Sequence, residues 1–190
     1  MRRFLLLFLV CSLVSSLPCR AQQPRAELQA YVDQYKAGNA LDLDAYVINL
    51  QGDTILFSDF QGKWVLIDYW TVGCKPCLKE LPALAEFSRS SGLDQLEVIA
   101  ISVDTDAARW KRLSEKRLKG LPNYFAGRST SNDMLGLNLS LLEEEKDKAS
   151  LYTTLPRYSL IDPSGKIAVR HLTEKPSSGS FKKYMETLMR

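Results

Sequence analysis

The chain has 190 residues, 45% of them hydrophobic and 25% charged; that suffices for one ordinary core and excludes the composition of a disordered or fibrous protein. Its formal charge of +3 lies in residues 1–21, which hold Arg2, Arg3 and Arg20 and no acid. Residues 22–190 therefore carry 22 basic and 22 acidic side chains, with no overall field for nucleic acid or anionic lipid.

Arg2 and Arg3 precede the apolar run Phe4 to Val14, and Cys19-Arg20-Ala21 offers a small-x-small cleavage site before Gln22. Residues 1–21 thus read as an export leader, with a periplasmic or otherwise extracytoplasmic destination. The run is too short to remain as a membrane span. Pro18 fits poorly before an acylated Cys19, so membrane attachment is not expected. Without the leader, Cys74 and Cys77 are the only thiols.

Residues 22–41 form an extension with Leu28, Tyr31, Val32 and Tyr35 at helical spacing, closed by Gly38. The main domain is placed at 42–190. It opens with "AYVINL", the turn Gln51-Gly52-Asp53 and "TILF", a hairpin pattern. The run "WVLIDYW" suits a strand buried on both faces. From Lys75 to about Ser90 the pattern Leu78, Leu81, Leu84, Ala85 is helical, and Pro82 is expected to kink it. "EVIAISV" is a second buried strand, and Thr105 to Lys119 a second long helix.

Residues 120–153 read as an insertion: "GLPNYFAGRSTSN" has loop composition, and "LLEEEKDKA" reads as a solvated helix of mixed charge. "RYSLID", the turn Pro163-Ser164-Gly165 and "KIAVRHL" form a closing hairpin. Phe181, Tyr184, Met185 and Leu188 mark a last amphipathic helix. The order implies an α/β fold, a central sheet with helices on both faces.

The pair in "GCKPC" carries the chemistry. Two thiols and His171 fall short of a zinc ligand set, so neither metal nor cofactor is expected, and nothing places a second ligand near His171, which reads as a surface or packing residue. A structural staple is weak too, because closing so short a loop restricts the unfolded chain by only about 2 kcal/mol. A redox pair explains both spacing and context: the cysteines sit where a buried strand meets a helix, whose unpaired amides and dipole favour a thiolate at Cys74. Cys77, one turn on and more buried, is placed to resolve a mixed disulfide.

The segment "VLIDYWTVGCKPCLKELP" resembles the active-site segment of thioredoxin-fold proteins. The leader, the preceding hairpin and Glu80 are similar to the TlpA/ResA branch of exported thiol-disulfide oxidoreductases, over roughly residues 42–190. That resemblance implies a thioredoxin-like fold with an N-terminal hairpin and an insertion before a cis-proline. It makes Asp68 a proton acceptor for the resolving thiol, and independently an acid inside "VLIDYW" would be desolvated and its pKa raised. It further implies that Glu80 tunes thiol acidity, that Pro156 in "TTLPRYSLID" is the cis-proline, and that Leu155 offers backbone groups to the partner peptide. Trp70 occupies an aromatic position beside the pair, as core or as a substrate-facing lid.

Two positions depart from the family pattern. Gly73 stands in place of tryptophan and opens the approach to Cys74. Arg157 stands in place of threonine and is expected to bring positive charge beside the site.

The function implied is reduction of protein disulfides outside the cytoplasm, with protein thiol or disulfide substrates and an electron-donor oxidoreductase as partners. Thr71, three residues before Cys74, keeps open a peroxiredoxin-like peroxidase, in which peroxide converts Cys74 to a sulfenic acid. A partner-binding module with a permanently closed bridge is the third reading.

Overall fold

A computed structural model describes residues 25–127, 133–143 and 149–190. The leader at 1–21, Cys19 and the start of the extension lie outside the described residues, as do parts of the insertion. Among the described residues no helix is long and apolar enough to cross a membrane.

The sheet is built around the two runs that are apolar at nearly every position. β3 (Trp64–Trp70) and β4 (Leu96–Ser102) pair in parallel along their whole length, Trp64 with Leu96 through Trp70 with Ser102. Uninterrupted burial matches their place in the middle of a sheet covered on both faces. The expected hairpin forms β1 (Tyr46–Ile48) and β2 (Thr54–Leu56), after which Phe57–Phe60 turn as a short 3₁₀ segment. β8 (Arg157–Ile161) and β9 (Ile167–Val169) form the closing hairpin, with β8 antiparallel to β3. With β5 (Asn123–Phe125) the strand order is β2-β1-β5-β4-β3-β8-β9, a mixed sheet.

Side-chain alternation along β3 separates two cores. Leu66 and Trp70 pack with α2 (Lys75–Ser90), α3 (Ala107–Arg117) and α5 (Phe181–Leu188). Val65, Ile67 and Tyr69 face the other way, toward Tyr31 and Tyr35 at and beyond the end of α1 (Arg25–Asp33) and toward α4 (Asp133–Gly136). The connections from β3 through α2 to β4, and from β4 through α3 to β5, keep one hand and place both helices on one face. Helix α2 continues through Pro82 as one element. Gly136 is required by close approach, since a Cβ there would stand 2.3 Å from the Tyr35 ring.

The insertion is where sequence and structure differ. Asn123 lies in the stretch expected as loop, yet it begins β5, and its buried amide accepts from Trp110 Nε1 (2.9 Å) and donates to Ser114 Oγ (3.2 Å) on α3. The helix expected over "LLEEEKDKA" is absent from its described ends. Instead β6 (Ser140–Glu143) and β7 (Ala149–Tyr152) pair antiparallel, Ser140 with Tyr152 and Leu141 with Leu151. Packing against α1 and strand pairing outweigh a local charge pattern that favours a helix by only a few tenths of a kcal/mol per pair.

Candidate functional site

β3 ends at Trp70, and Thr71-Val72-Gly73 lead to Cys74, the N-cap of α2. This short connection is held at both ends. Asp104, just past β4, accepts from the Val72 amide (2.8 Å) and from Ser102 Oγ (2.8 Å), and the Cys74 amide donates to Thr71 O (3.0 Å). Pro76 needs no amide partner in the first turn, where helix amides are unpaired in any case.

Cys74 and Cys77 form a disulfide with an S–S distance of 2.01 Å and Cα atoms 5.3 Å apart. Cys74 is partly exposed, and its sulfur accepts from the Cys77 amide at 3.2 Å. Cys77 is wholly buried in the α2-face core. The exposed sulfur thus sits at the positive end of a 16-residue helix, where an anion is stabilised. Gly73 is exposed with open space around its Cα, so the approach to Cys74 is unobstructed.

The same face of the sheet carries a set of buried ionisable groups coupled to Glu80, one turn beyond Cys77 on α2. Asp68 is 1% exposed, and among the described residues neither carboxyl oxygen has a hydrogen-bond partner. Burial, followed by the neighbouring Glu80 charge, holds its carboxyl well above the usual carboxylate range. Glu80 is 8% exposed; it accepts from Ser177 Oγ at 2.9 Å and from the Ser177 amide at 3.1 Å, and so ties α2 to the segment before α5. Tyr158 pairs with Asp68 across the sheet. Its buried hydroxyl has no partner among the described residues, and burial, Asp68 and Glu80 all push its pKa up.

The structure thus brings Cys74, Cys77, Asp68 and Glu80 to the α2 face of one sheet region. The Leu155–Pro156 bond is cis, and Leu155 is partly exposed and packs on both cores. Trp70 differs from the substrate-facing expectation. It has no exposed surface and belongs to the core, because position 70 alternates onto the face that α2 covers. Arg157 also differs: it pairs with Tyr69 on the opposite face, and its guanidinium donates to Asn138 O, Ser140 Oγ and Thr154 Oγ1. Its charge ties down the insertion rather than flanking the cysteines. Asp104, Tyr158 and Ser177 carried no sequence signal; Ser177 lies 97 residues from the acid it holds.

Residues 37–170 match the AhpC/TSA family. The thiol-disulfide oxidoreductase ResA of Bacillus thuringiensis subsp. konkukian is 40% identical over 63 residues, 33% of this chain and 36% of that protein. The chain therefore spans about a third of the length of the first curated relatives it matches. ResA of Geobacillus thermodenitrificans is 22% identical over 148 residues, 76% of this chain and 74% of that protein. Among solved structures, the thioredoxin domain of a thiol-disulfide oxidoreductase from Bacteroides vulgatus aligns with a TM-score of 0.58 at 22% identity, covering 82% of this chain and 96% of that one. The expected thioredoxin-like fold is the fold of this chain.

Proposed function

The chain belongs to the AhpC/TSA family, and from that membership and its site geometry we propose that it is a thiol-disulfide oxidoreductase that reduces protein disulfides outside the cytoplasm. The observation that carries this reading is the Cys74–Cys77 bridge at the start of α2, with Cys74 partly exposed at the helix N-terminus and Cys77 buried in the core.

In the reduced protein the Cys74 thiolate attacks one sulfur of a substrate disulfide. The substrate S–S bond breaks, a mixed disulfide forms, and the departing substrate thiolate takes a proton from water. Asp68 in its ionised form takes the Cys77 proton, and the Cys77 thiolate attacks Cys74 Sγ. That step closes the protein disulfide, releases the second substrate thiolate and completes a two-electron transfer to the substrate. A dithiol electron donor reopens the bridge by the reverse sequence.

Leu155 and Pro156 present the backbone against which the partner peptide lies. Glu80, fixed by Ser177, sets the field at Asp68. The leader over 1–21 directs export, and the working domain is 42–190 with 22–41 as its extension.

The test is the redox state of the purified protein across a series of thiol buffers, read by mass after alkylation. A reversible two-electron transition below about −200 mV is expected of a reductase. A bridge that no buffer opens, or one that never closes, sinks the exchange mechanism. Rapid consumption of hydrogen peroxide by the reduced protein would instead favour the peroxidase reading.

A further inference from the structure

The face of α3 beside the active-site connection is strongly basic. An open groove of about 400 Å³ is lined by Val72, Arg109, Arg112, Leu113, Lys116 and Arg117. Positions 109, 112, 113 and 116 form one helical stripe, so the three cations on it point the same way, and Arg117 borders it. Helix α3 holds five basic residues and one acid, whereas residues 22–190 as a whole are balanced. Among the described residues no ion pair engages Arg109, Arg112, Lys116 or Arg117. Of the nearby acids, Asp106 caps α3 by accepting from the Arg109 amide and Asp104 holds Val72 and Ser102, which leaves exposed Glu115 as the single acid against the five cations of α3.

Val72 links this groove to the connection that leads into Cys74. It stands two residues before Cys74, at most about 7 Å of chain away. Through Asp104 it is fixed to the segment that starts α3, so groove and sulfur keep one spacing. From Arg109 to Lys116 the stripe runs about 10 Å, the length of about three extended residues. Only Val72 and Leu113 of the six lining residues are apolar, which suits an acidic chain better than a lipid.

We propose that the α3 groove is a substrate-docking surface, and that the preferred substrates are polypeptides with an acidic stretch a few residues from the reacting cysteine. The inference rests on the exchange reading above. Acidic side chains meet the stripe, steer the encounter and lay the substrate sulfur against Cys74 Sγ.

The experiment uses prereduced full-length protein and stopped-flow oxidation by three disulfide peptides of equal length, flanked by Asp/Glu, Ser or Lys. The acidic peptide is expected to react about tenfold or more faster than the lysine peptide at about 0.01 M ionic strength, with the ratio collapsing at about 0.5 M. In R112E/K116E the ratio should invert. Equal rates for acidic and lysine peptides in the wild type, or a preference insensitive to salt, overturns the docking surface whether or not the variant folds. Neutral hydroxyethyl disulfide separates the two levels. If it oxidises the wild type while the peptides show no charge preference, only the groove fails; if no disulfide oxidises the protein, the exchange reading fails and the groove with it.

Discussion

The two faces of the sheet both bury charge, and they treat it in opposite ways. On the α2 face the Asp68 carboxyl is buried with no hydrogen-bond partner among the described residues, near Glu80 on the helix that carries the disulfide. On the other face two half-buried arginines are surrounded by acceptors. Arg157 donates to Asn138 O, Ser140 and Thr154, and Arg170 donates to Val32 O, Leu137 O and Leu139 O. A buried carboxyl without partners costs stability and gains a tunable proton affinity. An arginine whose donors are met by backbone carbonyls titrates at no physiological pH and ties together segments that lack a regular ladder. One face is set up for proton and electron transfer, the other for holding an irregular insertion.

The comparison breaks most directly at the sulfurs. Cys74→Ser should reduce disulfide exchange to the buffer background, and Cys77→Ser should leave a covalent mixed disulfide with substrate, visible as a mass increase that a thiol reverses. Neither should depend on the arginine face. Exchange at full rate in Cys74→Ser would move the chemistry elsewhere.

Asp68→Asn comes next. Loss of the proton acceptor should slow resolution of the mixed disulfide by about 10²-fold near neutral pH and flatten its pH profile. Stability should move the other way. The folded carboxyl titrates above its ordinary value of 3.8, so its protonated form favours the fold. That contribution is complete below about pH 3.8 and is lost as pH rises towards the folded value. The variant should therefore gain on the wild type as pH rises from 4, measured by urea midpoints. A constant difference would mean that Asp68 does not titrate in this environment.

Arg170→Ala tests the other face. Removing the guanidinium strands three backbone carbonyls of a partly buried junction, with an expected loss of about 2 kcal/mol. The exchange rate per folded molecule and the redox midpoint should stay at the wild-type value. A shifted midpoint would show that the two faces communicate through β3, and the division drawn here would fall.

The same division marks what was legible in the sequence. β3, α2 and the redox pair are local features: an uninterrupted apolar run, a helical period and a four-residue motif, each readable from neighbours in the chain. Asp68 was legible because an acid inside an apolar run has few places to go. The insertion was not, since its shape depends on contacts distant in sequence: Arg170 reaches Val32 across 138 positions and Leu139 across 31. "LLEEEKDKA" read alone favours a helix, and strand pairing together with packing against α1 makes its described ends strands. Asn123 read as loop because its partners, Trp110 and Ser114, lie on another element. Trp70 was ambiguous until strand register decided its face.

The smallest expected effect joins the two faces through pH. His171 is half-buried, its Nε2 has no partner among the described residues, and burial followed by the charges of Arg157 and Arg170 lowers its pKa from 6.5 to about 4. Its neutral form is favoured in the fold, so its contribution is complete above pH 6.5 and is lost as pH falls to about 4. This slope is opposite to that of Asp68, and the two partly cancel in any measurement on the wild type. His171→Leu removes the acid-side loss and leaves Asp68 exposed as a rise in stability on acidification from pH 6.5 to 4. Asp68→Asn does the reverse and steepens the fall. The sign of the difference between the two variants, read from urea midpoints at pH 6.5 and 4.5, distinguishes the faces without any assay of function. Parallel profiles would mean that the fold shifts neither His171, which burial and then the two arginines are expected to hold neutral, nor Asp68.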